Sequence, residues 1–372
     1  MKRVGITGQK GFVGSFLYNT LGLQPDLYER VDSQKEDFDT PEKMDAFVEQ
    51  CDVIVHLAAM NRHPDPEVIY QNNIELVQKL VDSLERTASK AHVIFSSSSQ
   101  EERDNLYGKS KKEGRKLLAN WAKNKGGTFT GLIIPNVFGP FGQPNYNSFI
   151  ATFCHKLTHG EQPTIDQDGE VKLIYVGELV QKIIDNITAG VTHEEYIVPF
   201  TTSVKVSEVL AKLENYKKLY FEGGEIPQLQ TTFDYQLFNT FRCYFDIKNH
   251  YPVKFTQHID PRGAFVEVIR LGIGGQCSFS TTVPGITRGN HFHTRKIERF
   301  AVIKGKALIQ LRKIDSQEVL DFYLDGEEPA YVDMPIWYTH NIKNIGDEEL
   351  FTIFWINEPY DPADADTYFV EV

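Results

Sequence analysis

Three groups of residues in this 372-residue chain have the types and spacing to do chemistry. The first is Tyr107-Gly108-Lys109-Ser110-Lys111, a Tyr-x-x-x-Lys pair at the start of a helical stretch. Four residues apart on a helix, the two side chains share one face. An ammonium beside a phenol favours the phenolate, so the tyrosine could exchange a proton with a carbonyl oxygen near neutral pH. The serine run from Ser96 to Ser99 ends the preceding strand, where strand ends line a ligand crevice. The second group is the turn Gly8-Gln9-Lys10-Gly11-Phe12-Val13-Gly14. Glycines at that spacing let backbone amides approach a pyrophosphate at a helix N-terminus. The third is His291-Phe292-His293 with Glu298 and, further on, His340. Strand alternation puts His291 and His293 on one face, and three imidazoles with a carboxylate suit zinc, or iron, manganese and nickel. Any of these histidines alone reads more readily as a core or surface residue, and a lone Tyr-x-x-x-Lys as two exposed residues on an amphipathic helix. The groups carry weight because each has its partners at the right spacing.

Strand–helix alternation over residues 1 to about 140 is what must position the first two groups. Val4–Thr7, Asp52–Leu57 and His92–Ser96 read as strands; Val13–Leu21, Pro66–Leu84 and Tyr107–Lys125 read as helices. That order predicts a doubly wound parallel sheet covered on both faces. Helices are also expected over Phe149–His159 and Ser207–Phe221. After about Phe245 the chain turns into short β-rich runs punctuated by Gly and Pro, which predicts an all-β barrel holding the histidines. The expected domains are 1–244, with a small substrate lobe mainly in 141–244, and 245–372.

Charged residues are 24% and hydrophobic ones 41%, as in ordinary soluble globular proteins. The net charge of -12 argues against a nucleic-acid partner, which would want a basic face. No apolar run is long enough for a membrane span, and the first strand begins too early for a signal peptide, so a cytoplasmic protein is expected. Cys51, Cys154, Cys243 and Cys277 are scattered without a C-x-x-C pair, which excludes a disulfide framework.

Gly8–Gly14, His56-Leu57-Ala58-Ala59, the serine run, Tyr107-x-x-x-Lys111 and Pro135-Asn136-Val137-Phe138-Gly139-Pro140 occur in the order of the extended short-chain dehydrogenase/reductases that act on nucleotide sugars, and the region resembles that family. The resemblance implies that Tyr107 is the proton donor or acceptor, with Lys111 as its activator and ribose ligand. Ser98 would hold the substrate carbonyl, with Ser97 the alternative. Leu57, Ala58 and Ala59 would line the cofactor crevice, Asn73 would support it, and Asn136 would lie near nicotinamide and sugar. Tyr107 follows Ser98 by only nine positions, shorter than usual for the family. Tyr28-Glu29-Arg30-Val31-Asp32, where the adenosine ribose is read, holds both an arginine suited to NADP and acidic residues suited to NAD.

Gly285-x5-His291-x-His293-x4-Glu298-x6-Gly305 and Pro335-x4-His340-x3-Asn344 resemble the two cupin motifs, except that Trp337 stands where a glycine is usual. Asp260-Pro261-Arg262-Gly263-x-Phe265-x-Glu267 and Thr287-Arg288-Gly289-Asn290-His291 look like the deoxysugar-nucleotide 3,5-epimerases built on that barrel. In those enzymes the histidine of the second motif is the base, which gives His291 two competing roles, ligand and base. The family's tyrosine acid would fall near Phe354-Trp355, and neither residue can replace it.

Together with Asn145 and Asn147 in the stretch Pro144–Cys154, the two halves resemble bifunctional capsular polysaccharide enzymes that join a reductase to a cupin. The resemblance implies a route to UDP-N-acetyl-L-fucosamine. The cupin domain would epimerise C3 of a UDP-4-keto-6-deoxy-N-acetylhexosamine, and the reductase domain would reduce C4 with NADPH, NADH being the other candidate. One divalent metal, zinc first, and contact of Asn136, Asn145 and Asn147 with substrate are implied. A homodimer is the expected assembly. The same residues also admit a plain ketosugar-nucleotide reductase with a cupin docking module, a cupin oxygenase, or a non-enzymatic NADP and sugar-nucleotide sensor.

Overall fold

The computed structural model describes every residue but Arg262, so the arginine of the Asp260–Gly263 motif lies outside the described residues. In chain order the elements are β1 (Lys2–Thr7), α1 (Phe12–Leu21), β2 (Tyr28–Val31), α2 (Pro41–Glu49), β3 (Val53–His56), α3 (Pro66–Arg86), β4 (His92–Ser98), α4 (Leu106–Lys125), β5 (Thr128–Ile134) and β6 (Asn136–Phe138). Then come α5 (Phe149–Thr158), β7 (Glu170–Tyr175), α6 (Val176–Ala189), β8 (His193–Ile197), β9 (Thr202–Lys205), α7 (Val206–Tyr216), a π-helical turn Lys217–Glu222, α8 (Thr232–Phe241) and α9 (Ile247–His250). The rest is strand: β10 (Val253–Lys254), β11 (Gln257–Asp260), β12 (Gly263–Val266), β13 (Gln276–Thr282), β14 (Thr287–Phe292), β15 (Glu298–Lys304), β16 (Lys306–Lys313), β17 (Val319–Asp325), β18 (Ala330–Met334), β19 (Tyr338–Asn344), β20 (Leu350–Ile356) and β21 (Tyr368–Phe369).

Chain contacts define two compact units, Met1–Thr152 with Ile165–Glu208, and Phe153–Thr164 with Val209–Val372. The first is built on a six-stranded sheet of order β2-β1-β3-β4-β5-β8, every pair parallel. The strand order reverses beside β1, so the crevice for a ligand opens at the carboxyl ends of β1 and β3. Capping residues fix the helices that frame it. α3 starts at Asp65, whose side chain accepts from the Glu67 amide, with Pro66 in the first turn. α4 starts at Asn105 and stops at Gly126 in the left-handed region (φ 69°), with Lys123 and Lys125 in its last turn. Val77, Leu80, Leu84, Leu118 and Trp121 of α3 and α4 bury against Val93 and Phe95 of β4. A small sheet, β6-β7-β9, completes this unit.

The second unit carries two five-stranded antiparallel sheets, β10-β18-β15-β20-β13 and β17-β16-β19-β14-β21, and the hairpin β11-β12. Alternate residues such as Ala307, Ile309 and Leu311 of β16 are fully buried, as expected of a two-layer barrel. Residues 209–244, read from sequence with the reductase, pack with the barrel. Arg299 of β15 and Asp333 of β18 form a buried bidentate ion pair (2.6 and 2.9 Å), and the Tyr220 hydroxyl donates to Asp333 at 2.8 Å. Asn239 donates to the Arg295 carbonyl at 2.7 Å. These long-range polar contacts have no signature in a local pattern, which is why helix content alone assigned the segment elsewhere.

Candidate active site and metal centre

The glycine turn has the shape its spacing implied. Gly8 sits at φ 75°, and a Cβ there would lie 2.9 Å from the Ala58 nitrogen. A Cβ on Gly14 would lie 2.3 Å from the Gly8 carbonyl oxygen. Gly11 caps α1 without any side-chain acceptor, so the first-turn amides of Phe12, Val13 and beyond are left for an anion. Lys10, beside them, is exposed and donates to Gln34 at 3.0 Å. Leu57, Ala58 and Ala59 are half-buried in the loop leaving β3, on the other side of the crevice. The Thr7 hydroxyl holds that loop, accepting from the Ala58 amide at 3.3 Å and meeting His56 Nδ1 at 2.7 Å. Asn73 is buried, and its amide is spent on the Met60 backbone (2.7 and 3.0 Å) and Ser110 Oγ (3.2 Å). It braces the loop that leaves β3. Where the ribose would be read, Asp32 accepts from Tyr18 at 2.7 Å and Arg30 stacks on the Tyr18 ring at 4.2 Å.

Ser98, Tyr107 and Lys111 stand at the end of β4 and the start of α4. Ser97 and Ser98 differ sharply. The Ser97 hydroxyl is buried and donates to the Glu101 carboxylate, whereas Ser98 is half-buried and accepts from the Gln100 amide at 3.2 Å. Lys111 is buried, with its ammonium 5.9 Å from the centre of the Tyr107 ring, and it donates to the Ser96 carbonyl at 2.9 Å. Burial pulls its pKa down to about 8, against the opposing pull of Glu101. Burial, with Tyr146 nearby, pushes the Tyr107 phenol up to about 12, the reverse of the direction the Tyr-x-x-x-Lys pattern predicted. Desolvation of the phenolate outweighs an ammonium at this separation. The short Ser98–Tyr107 connection is held by a pair the sequence reading missed. Glu101 accepts from Arg115 of α4 at 2.9 and 2.7 Å, both side chains buried. Gly108 makes the fit possible, since a Cβ there would fall 2.0 Å from the Gln100 carbonyl oxygen.

Asn136 is exposed on β6 and donates to the Lys172 carbonyl at 3.3 Å. Asn145 and Asn147 are exposed in the loop before α5; the Asn145 carbonyl accepts from Arg62 at 2.6 Å.

His291, His293, Glu298 and His340 converge: one donor atom from each lies within 4.8 Å of all the others. They come from both sheets, His291 from β14 and His340 from β19 on one, Glu298 from β15 on the other, with His293 just beyond β14. A bulge between Gly289 and His291 interrupts the simple alternation, yet both imidazoles reach the cluster. His293 Nε2 and His340 Nε2 lie 3.3 and 3.1 Å from Glu298 Oε2, and these three buried atoms have no hydrogen-bond partner outside the cluster. Their other nitrogens face carbonyls, His293 Nδ1 to Asp366 at 2.6 Å and His340 Nδ1 to Tyr338 at 3.2 Å. A carbonyl can only accept, so each Nδ1 carries the proton and each Nε2 presents a lone pair inward. This donor set fits a divalent cation. Without a cation, burial opposes the charged forms of His293 and Glu298, but the hydrogen bond that a protonated Nε2 makes to the carboxylate outweighs it, raising the first and holding the second well below the carboxylate range; a bound cation would take that proton's place. Burial, with His340 alongside, pulls His291 down to about 4, so it is a neutral imidazole at physiological pH.

Residues 4–198 match the NAD dependent epimerase/dehydratase family, and residues 258–368 match the polysaccharide biosynthesis C-terminal domain. The chain is 30% identical, over 98% of both lengths, to UDP-2-acetamido-2,6-beta-L-arabino-hexul-4-ose reductase of Pseudomonas aeruginosa. It is similar along its whole length to the capsular polysaccharide assembling protein CapF of Staphylococcus aureus, at 34% identity, 100% coverage of both chains and a TM-score of 0.63. RMD of Pseudomonas aeruginosa, solved with NADPH, shares the fold over 59% of this chain and 83% of its own, at 20% identity and a TM-score of 0.53. With its nucleotide crevice matched over more than half of its length and its barrel matched separately, the chain belongs to the NAD dependent epimerase/dehydratase family and carries a polysaccharide biosynthesis C-terminal domain.

Proposed function

We propose that the chain is a bifunctional sugar-nucleotide enzyme of capsular polysaccharide synthesis, epimerising C3 of a UDP-4-keto-6-deoxy-N-acetylhexosamine and reducing C4, on a route to UDP-N-acetyl-L-fucosamine. The observation that carries this reading is one chain holding Ser98, Tyr107 and Lys111 beside a nucleotide crevice and a four-donor cluster in a barrel. The P. aeruginosa relative is named for a UDP-linked 4-ulose, which supports the substrate class. The working assembly is a cytoplasmic homodimer, as symmetric dimers are commonest among soluble enzymes. Among the described residues no helix is long and apolar enough to cross a membrane.

NADPH supplies the hydride when bound. The chain's own part is acid catalysis and orientation. Ser98 holds the C4 carbonyl oxygen by hydrogen bond, and Tyr107 gives that oxygen its proton as negative charge develops. With its pKa near 12, Tyr107 stays protonated through the physiological range and is ready as an acid. Lys111 keeps a cation beside the ring and the cofactor ribose below about pH 8.

In the barrel, the C4 ketone acidifies the C3 proton, because its loss gives an enolate. His293, Glu298 and His340 would hold the cation, zinc first by donor set, and the cation would polarise the ketone. His291 either completes that set or, as a neutral imidazole, accepts the C3 proton. Metal content and C3 exchange of His291→Ala separate the two roles. Phe354 and Trp355 of β20 stand near where the related 3,5-epimerases carry a tyrosine acid and cannot replace it, which favours a second reading in which the barrel only docks the substrate.

The deciding experiment offers the 4-keto substrate and NADPH in D2O and reads product mass. Solvent deuterium at C3 of a reduced product supports both activities; reduction without it leaves a plain ketoreductase. Tyr107→Phe should abolish reduction and spare C3 exchange, and loss of both would refute the division of labour.

A further inference from the structure

The segment after β20 reaches back to the metal cluster at Asp366. Asp366 is buried and sits at φ 44°, a backbone conformation that aspartate tolerates better than most side chains. Its carbonyl accepts from His293 Nδ1 at 2.6 Å. Its carboxylate caps the turn that follows His293: Oδ1 accepts from the Thr294 amide (3.0 Å) and hydroxyl (2.6 Å), and Oδ2 from the amides of Arg295 (3.0 Å) and Lys296 (3.2 Å). Flanking contacts hold the segment there. Lys296 donates to the Ala365 carbonyl at 2.7 Å, and Arg295 pairs with Asp364 at 2.8 Å and Glu358 at 3.1 Å. Beyond it, β21 zips onto β14, placing Phe369 opposite His291 and stacking Tyr368 on Phe292 at 5.2 Å.

We propose that Asp366 is a positioning residue of the metal centre, supplying no ligand atom but fixing how His293 presents its own. The carbonyl sets the tautomer and ring plane of His293. The carboxylate, gathering four donors from Thr294–Lys296, sets the backbone from which that ring projects. A buried carboxylate satisfied by backbone amides is common in turns and would by itself mean only stability. Here the same residue also supplies the outer acceptor of a ligand, and such partners tune metal affinity. The inference rests on the reading of the cluster as a metal site.

The test uses the full chain, stripped of metal and titrated with zinc against a chromophoric chelator, and in parallel with cobalt(II), whose visible spectrum reports ligand geometry. Asp366→Ala should weaken zinc by about 10–100-fold and alter the cobalt spectrum. Thr294→Val, which removes one donor and keeps the shape, should weaken zinc by about threefold, and it carries the test if Asp366→Ala does not fold. Unchanged affinity in a folded variant overturns the proposal. So does weakened affinity with the wild-type cobalt spectrum, because that result assigns Asp366 to stability alone. If the wild type binds neither ion, it is the reading of the cluster that falls, a distinct outcome.

Discussion

Replacing Arg115 with methionine tests whether the Glu101–Arg115 pair holds the active-site connection. Arg115 is 2% exposed and reaches Glu101 through two hydrogen bonds, while Glu101, 8% exposed, has Ser97 as its other side-chain partner. Removing one member of a buried pair strands the other charge and costs about 3–5 kcal/mol. Ser97 offsets part of that, which puts Arg115→Met near 3 kcal/mol. The reverse change, Glu101→Gln, leaves Arg115 with Glu195 at 2.8 Å and the Glu194 carbonyl at 3.2 Å, and the Glu195 side chain is 59% exposed. Its cost should be closer to about 1–2 kcal/mol. Amide hydrogen exchange read by mass spectrometry resolves this locally: peptides of β4 and α4 should exchange about 10²-fold faster in Arg115→Met, with barrel peptides as internal control. The sign with pH follows from the Glu101 carboxyl. Burial works to raise its pKa, but Arg115 and Ser97 hold it below the ordinary value. The stabilisation is therefore full above the unfolded glutamate pKa of about 4.3 and fades as pH falls through the lowered folded value. Equal costs for the two variants, or an unaltered exchange rate in β4 and α4, would refute the argument.

Lys111, with a pKa near 8, should impose a falling alkaline limb on kcat/KM for NADPH, and Lys111→Met should remove that limb along with most of the activity. A steady-state pH profile from 6 to about 9.5 checks both. Gly14→Ala puts a methyl group 2.3 Å from the Gly8 carbonyl, so NADPH affinity, measured by fluorescence titration, should fall at least tenfold while the barrel's metal affinity stays as it was.

Much of the site was legible because its chemistry is local. The Gly8–Gly14 turn, Tyr107 with Lys111, and His291 with His293 are each set by spacings of a few residues, and the helices α1 and α4 beside the first two formed within a residue of expectation. Other features were not. The Tyr107 phenol is pushed up, not down, because its burial depends on what packs over it, and burial is a tertiary quantity. Glu101 and Arg115 are 14 residues apart on different elements, and nothing in either neighbourhood announces the pair. The partners of Asn73, Met60 and Ser110, stand 13 and 37 residues away, and nothing near any of them announces the contact. The strands β14, β18 and β19 escaped the pattern of short apolar runs, since Thr287–Phe292 and Tyr338–Asn344 carry polar ligands where a strand would otherwise show hydrophobic residues.

The tie between His293 and Asp366 spans 73 residues of chain. Having four donors and having them oriented are therefore separate events: the His293 ring takes its final plane only once the chain after β20 has folded back across the barrel. A fragment ending before Asp366 would keep all four donors and lack the acceptor that orients one of them.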